Sequence, residues 1–359
     1  MSLSLFNAPR VWDKDSMATA VEKKLHELGN GIYAYTQLPG SWGWSNAGLI
    51  TDGDQSLLVD TLFDEKITAE MLASMRRATP AAARIGTVVN THGNGDHCFG
   101  NALVADAEII GTPGCIEDLR EGTPSRNQLL LRAATVVGAL GAGGKLIGKA
   151  LNAVGIDRVA FLADAAPLAL PNFRDFDFAN VELTLPNRTF EGELELQVGD
   201  KKVVLIEVGP AHTRGDAVVW VPGDKTLFTG DILFKDAHPL IWQGPTSNWI
   251  AVLQRLLAMD IETVVPGHGP LTDKSGLAEI LHYLELLTVE ARRRYDAGMS
   301  VEEAVRDLTL DEFKGWLDAE RTYLNVHSLY RDFAGDTEPG DILAMFAGMA
   351  RLQKHMQRG

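Results

Sequence analysis

With 359 residues, 45% of them hydrophobic, and a formal net charge of -15, the chain can bury a large core and presents an acidic surface. That charge, with a pI near 5.0 and no basic stripe to offset it, argues against nucleic-acid or anionic-membrane partners. Two cysteines, Cys98 and Cys115, make no disulfide framework, and Met1 to Trp12 lacks the basic start and apolar core of a secretory signal. The expectation is a cytoplasmic protein.

Residues 1–30 are polar, and Val21 to Leu28 has the apolar spacing of a helix. From Gly31 the pattern turns to strands, over Gly31 to Thr36, Asn46 to Thr51 and Ser56 to Thr61, with Asp52, Gly53 and Asp54 forming a hairpin signal. Thr68 to Ala78 predicts a helix that turns Leu72 and Met75 inward and leads into the strand Ile85 to Val89. Alternating strands and helices of this kind build a layered α/β fold.

Residues 113–185 read as a helical insertion. Arg126 to Ala153 is rich in Leu, Ala and Gly, as in buried helices or a cover over a site, and Pro167, Pro171 and Pro186 then break the chain into loops. Its most membrane-like stretch, Ala133 to Gly144, falls well short of the roughly 20 residues that a span takes. Strands return at Glu193 to Val198, which alternates strictly, and continue through Lys202 to Val208, Ala217 to Val221 and Thr226 to Thr229.

After Leu271 the pattern is helical. Gly276 to Ala297 carries Leu277, Ile280, Leu281 and Leu284 on one stripe. Ser300 to Glu303 and Thr309 to Glu312 both fit the capping box that starts a helix, and Asp318 to Phe333 and Asp341 to Met356 read as the last two helices. This divides the chain into a main domain, 1–275, and a C-terminal helical extension, 276–359, suited to packing, to homodimer formation or to lining a substrate mouth.

The chemistry concentrates in short turns after apolar runs. Thr91-His92-Gly93-Asn94-Gly95-Asp96-His97 sets three imidazole or carboxylate groups within six residues, where Gly93 and Gly95 let the backbone curl. His212, Asp231 and His268 follow, each beside a glycine-containing turn. A lone histidine is more often a packed or surface residue than a ligand, and His26, His282, His327 and His355, on predicted helices, are read so. Cys98 reads as a small buried residue at a helix start.

This ordered series resembles the metallo-β-lactamase-fold superfamily of metal-dependent hydrolases, whose pattern is H-x-H-x-D-H, then a distant His, a bridging Asp and a final His. The similarity runs from about Gly31 to about Leu271 and implies a four-layer αββα sandwich. It also implies that His92 and His212 bind one metal, that Asp96, His97 and His268 bind a second, and that Asp231 bridges them. Asn94 stands where the family has its second histidine. It is either a weak amide ligand or the hydrogen-bond partner of a water at the metal, and the first position is expected to be weak while the second holds metal tightly. The donor set suits Zn2+, one ion or two, and equally Fe or Mn. Water at an open position would ionise near neutral pH and attack an electrophilic carbon, with Asp96 and Asp231 as the catalytic carboxylates.

Substrate contacts are expected from Trp42 and Trp44 in one loop and from His238 and Trp242 in another, with His238 placed to polarise a carbonyl. With the apolar insertion, they suggest a small ester-like substrate with an apolar part, such as a lactone, thioester, activated ether or amide. Two alternatives follow from the same resemblance, a mononuclear iron or di-iron redox enzyme and a non-catalytic binding protein with a degenerate metal site. Retention of all the other ligand positions argues against the last.

Overall fold

A computed structural model describes residues 21–139, 157–336 and 340–358. The first sheet runs in the order β1 (Glu22–Gly29), β2 (Ile32–Leu38), β3 (Ala47–Asp52), β4 (Gln55–Val59), β5 (Thr87–Val89), β6 (Glu108–Gly111), β7 (Arg188–Thr189). It is antiparallel through β4 and parallel from β4 to β7. The second sheet comprises β8 (Glu193–Val198), β9 (Lys201–Glu207), β10 (Ala217–Val221), β11 (Thr226–Phe228) and β12 (Thr263–Val265), with β12 parallel to β11.

The helices are α1 (Glu65–Ala78), α2 (Gly95–Cys98), α3 (Pro113–Glu121), α4 (Pro124–Ala139), α5 (Asp157–Phe173), α6 (Thr246–Ala258), α7 (Lys274–Asp296), α8 (Val301–Asp307), α9 (Thr322–Ala334) and α10 (Ile342–Met356). Three apolar layers define the sandwich. Ile32, Ile50 and Leu57 of the first sheet meet Val203, Leu205 and Phe228 of the second between the sheets. Gly48 permits that approach, since a Cβ there would strike the Phe228 ring. On the outer face of the first sheet Leu49 and Leu58 pack on Met71, Leu72 and Met75 of α1. On the outer face of the second, Val204, Ile206 and Val218 share one cluster with Trp249 of α6, Leu277 and Ile280 of α7, Leu324 of α9 and Met349 of α10. This is the four-layer αββα sandwich, with the helical tail built onto its second sheet.

Four local expectations are corrected. Val21 to Leu28 is not helical, because β1 pairs antiparallel with β2, Leu25 opposite Tyr35, and the sheet edge supplies partners for its backbone. Pro167 and Pro171 lie inside α5 and do not end it; burial of Ala163, Ala165, Ala166 and Leu168 outweighs the hydrogen bonds that two prolines remove. Thr309 to Glu312 starts no α-helix, and a single 3-10 turn, Asp311–Phe313, forms there as Phe313 packs on Tyr283 and Trp316. His26 sits on β1 and meets Thr36 Oγ1 at 2.9 Å. The Ser300 capping box is present in full. Met1 to Trp12 and the second half of Arg126 to Ala153 lie outside the described residues. Among those described, no helix is long and apolar enough to cross a membrane.

Candidate metal centre

The site residues leave the C-terminal ends of parallel strands, where an α/β sheet opens a crevice. His92 follows β5, Asp96 and His97 lie on the one-turn α2, Asp231 follows β11 and His268 follows β12, while His212 sits in the loop between β9 and β10. Gly93 and Gly95 serve differently from expectation, since neither has a positive φ. What they provide is room. A Cβ at 93 would lie 2.5 Å from Cys115 O, and one at 95 would lie 2.5 Å from the Phe99 ring.

Asp231 is the hub. Its Oδ1 lies 3.1 Å from His97 Nε2 and 3.5 Å from His268 Nε2; its Oδ2 lies 3.2 Å from His212 Nε2 and 3.7 Å from His92 Nε2. Asp96 Oδ2 is 3.3 Å from His268 Nε2. Gly267 leaves the space for this carboxylate, because a Cβ there would collide with Asp231 Oδ1. The most compact ligand groups are Asp96 with His97 and His268, and His92 with His97 and Asp231. His97 belongs to both, and one imidazole nitrogen offers one lone pair, so the two groups cannot each count it.

Every imidazole is anchored through Nδ1, which leaves Nε2 facing inward. His212 Nδ1 donates to Leu240 O (2.6 Å), His268 Nδ1 to Gly40 O (3.0 Å) and His97 Nδ1 to Asp60 Oδ2 (2.9 Å). Thr91 Oγ1 donates to Asp60 Oδ2 (2.8 Å), so it is free to accept from His92 Nδ1 (3.1 Å). An outer acceptor that fixes the tautomer is what a metal-binding imidazole needs. His92 Nε2, His97 Nε2 and Asp231 Oδ1 are buried without a hydrogen-bond partner. Buried polar atoms of that kind carry a penalty unless something completes them, and three of them converging on one point fit a divalent cation.

Electrostatics agree. Burial opposes the charged form of Asp231, yet the surrounding imidazoles, His268 foremost, hold its carboxyl well below the usual range. Burial also opposes protonation of His97, but Asp231 and Asp60 raise it well above a free histidine, and Asp231 and Asp96 overcome the same penalty to bring His268 to about 9. His92 and His212 go the other way, depressed chiefly by burial. The carboxylates thus draw positive charge into the site.

Asn94 lies beside this group, and its Nδ2 donates to His212 Nε2 at 3.0 Å. The bond uses the lone pair that His212 would offer a cation. Asp60 and Asp216 did not emerge from the sequence as site residues. Asp60 accepts from Thr91 N as well as from Thr91 Oγ1 and His97. Asp216 accepts from Ala211 N, Thr213 N and Thr213 Oγ1 and so shapes the His212 turn. The only signal for either was an aspartate next to an apolar strand.

Asn94, Asp96, Asp231 and His268 floor a cleft of about 290 Å³ whose walls include Trp42, Phe63, Phe173, Trp242 and Phe346. Trp42 and Trp242 therefore lie where expected. Trp42 is held by a hydrogen bond from Nε1 to Glu320 Oε1 (3.1 Å) and by the Arg321 guanidinium 4.4 Å above its ring. Trp44 is not on the cleft; it packs on Phe176 with ring centroids 4.7 Å apart. His238 is buried against Tyr283, its Nδ1 3.1 Å from that hydroxyl, and is not on the cleft wall. The helical tail draws its ring into the protein and leaves it no route to a substrate carbonyl.

The model of the metallo-beta-lactamase superfamily matches residues 40–268, more than half the chain. The chain belongs to that superfamily. Among similar proteins is the 2,4-dinitroanisole O-demethylase subunit alpha of Nocardioides sp., 33% identical over 91 residues, which cover 23% of this chain and 25% of that one. The hydroxyacylglutathione hydrolase of Methylococcus capsulatus is 26% identical over 182 residues, covering 51% of this chain and 47% of the other. The chain thus matches between a quarter and about half the length of these curated relatives. Of solved structures, the stereoselective inverting sec-alkylsulfatase Pisa1 from Pseudomonas sp. superposes with a TM-score of 0.60 at 14% identity, covering 89% of this chain and 52% of that one. That share of the chain exceeds the stretch matched by the superfamily model, so the likeness in fold reaches beyond residues 40–268.

Proposed function

We propose that the protein is a metal-dependent hydrolase acting on a small ester-like substrate with an apolar part, a lactone, thioester, activated ether or amide. The observation that carries this reading is the set of four imidazoles presenting Nε2 to one carboxylate, with orphaned buried atoms at the point where they meet. Asp96, His97 and His268, beside Asp231, would hold the principal cation, for which zinc suits the nitrogen and oxygen donors. Such an ion supplies Lewis acidity and a water that ionises near neutral pH.

The chain's own residues do the rest. Asp96, with 13% of its side chain exposed against 3% for Asp231, is the more accessible carboxylate and would accept a proton from a water in the cleft. Asp231 holds the imidazoles to one point. The aromatic walls exclude water around the reacting bond and favour an apolar substituent. Names of similar proteins support the breadth of the proposed substrate class, since one is a hydroxyacylglutathione hydrolase and another a 2,4-dinitroanisole O-demethylase subunit.

The test is metal analysis of protein purified without chelator or added metal, with turnover on a panel of lactones, thioesters and activated esters. About one zinc per chain, activity lost on chelation and restored by zinc, is the expected result. Stoichiometric iron with oxygen consumption would replace the hydrolase by a redox enzyme.

A further inference from the structure

Behind the aromatic wall of the cleft lies a second cavity of about 180 Å³. Phe63, Asn127, Phe173, Ile342 and Phe346 line both spaces, so the two meet along these side chains. Helices α4, α5 and α10 line much of the inner space, which opens to the surface beside Ile342, 40% exposed. Leu130, Ala134, Leu162, Ala165, Ala169 and Leu343 form its remaining walls with one further phenylalanine and leucine, and Asn127 is its sole polar lining residue among those described. Ala134, Ala165 and Ala169 each contribute only a methyl group to its walls.

An apolar cavity of about 150 Å³ stays dry and accepts a benzene ring. This one is larger, and it offers no partner to a charged or hydroxylated group, whose burial unpaired would be costly. We propose that it holds the tail of the substrate, an uncharged apolar group of roughly six or seven carbons by that scale, while the bond to be cleaved lies in the cleft above Asp96, Asp231 and His268. The proposal rests on the hydrolase reading and adds what the substrate carries and where it goes. In the reaction the oxygen of water bonds to the acyl carbon, the bond from that carbon to the leaving oxygen breaks, and the alcohol departs with a proton from the water. The acid product keeps the tail.

The experiment measures kcat/KM for 4-nitrophenyl esters from acetyl to decanoyl, in the zinc-loaded wild type and in Ala134→Phe and Ala165→Phe. In the wild type each added methylene raises kcat/KM by about threefold to fourfold up to six or seven carbons, and longer chains lose the gain. In either variant the optimum moves to shorter chains and the hexanoyl-to-acetyl ratio falls at least tenfold. A ratio within one preparation does not depend on how much of the variant is folded. A flat wild-type profile, or an unmoved optimum in both variants, overturns the proposal.

Binding of 1-heptanol against 1-propanol, read by tryptophan fluorescence, needs no cleavage. Trp42 lies against Phe173 and Phe346, and Trp242 against Phe346, with centroids 5.4 to 6.1 Å apart, so an occupant is reported directly. Preference for heptanol with no ester cleaved would leave the chamber standing and remove the hydrolase. Esters cleaved without regard to length, with no preference for heptanol, would do the reverse.

Discussion

Asp60 Oδ2 lies 2.9 Å from His97 Nδ1, and the same oxygen takes the Thr91 hydroxyl whose lone pair faces His92. One buried carboxylate therefore sets the tautomer and tilt of two ligands, directly for one and through a threonine for the other. It belongs to no ligand motif and never touches the cleft.

Asp60→Asn should therefore weaken zinc binding about tenfold to a hundredfold, the usual cost of losing an outer partner of a metal-binding histidine. Asn tolerates the positive φ of 63° at this position, so the fold should survive. Competition against a chelator of known affinity, with circular dichroism as the check on folding, decides the matter. Unchanged affinity would show that Asp60 supports the fold alone.

Asn94→His should raise zinc content toward two per chain. The substitution replaces an amide that donates to His212 with an imidazole that can bind alongside it. Asp231→Ala and His268→Ala should each lose most of the bound metal, and His92→Ala less. Isothermal titration of the four variants reads all of this, and an unchanged stoichiometry in Asn94→His would mean that the amide does not control occupancy.

Zinc affinity should rise with pH from 6 to 8. Without metal, Asp231 and its neighbours raise the proton affinity of His97 and bring His268 to about 9, so protons compete for the positions a cation would take. A cation must displace them, and proton-releasing binding strengthens as pH increases until the groups are deprotonated. Titration at three pH values should show up to about one decade of affinity per pH unit for each proton displaced. A flat profile would place the cation elsewhere.

A chain ended after Asp273 should fail to fold. It would uncover the second sheet where Leu277, Ile280, Tyr283, Leu284 and Leu324 now lie fully or almost fully buried. At about 1.5–3 kcal/mol for each such side chain, the loss rivals the whole stability of a domain, about 5–15 kcal/mol. A soluble fragment that still binds zinc would contradict this.

The ligand turns were legible because metal chemistry is confined to few residue types in short segments, and the strand pattern was legible wherever one face alternated, as at Glu193 to Val198. What escaped depended on partners distant in sequence. Val21 to Leu28 became a strand because β2 offered it an edge. Pro167 and Pro171 stayed helical because α10 and α4 pack on α5. His238 looked like a cleft residue until Tyr283 and Trp316 enclosed it. Asp60 falls inside the predicted strand Ser56 to Thr61, and nothing local marks it as the partner of His97, 37 positions on.

The anchoring of the four imidazoles is uneven in what it exposes to mutation. His212 and His268 rest on carbonyl oxygens of the main chain at Leu240 and Gly40, which no side-chain replacement can delete. Those two ligands are vulnerable to insertions and deletions that shift a loop. His92 and His97 converge on the Asp60 carboxylate, without redundancy, so half of the imidazole set has a single point of failure that one nucleotide change can reach.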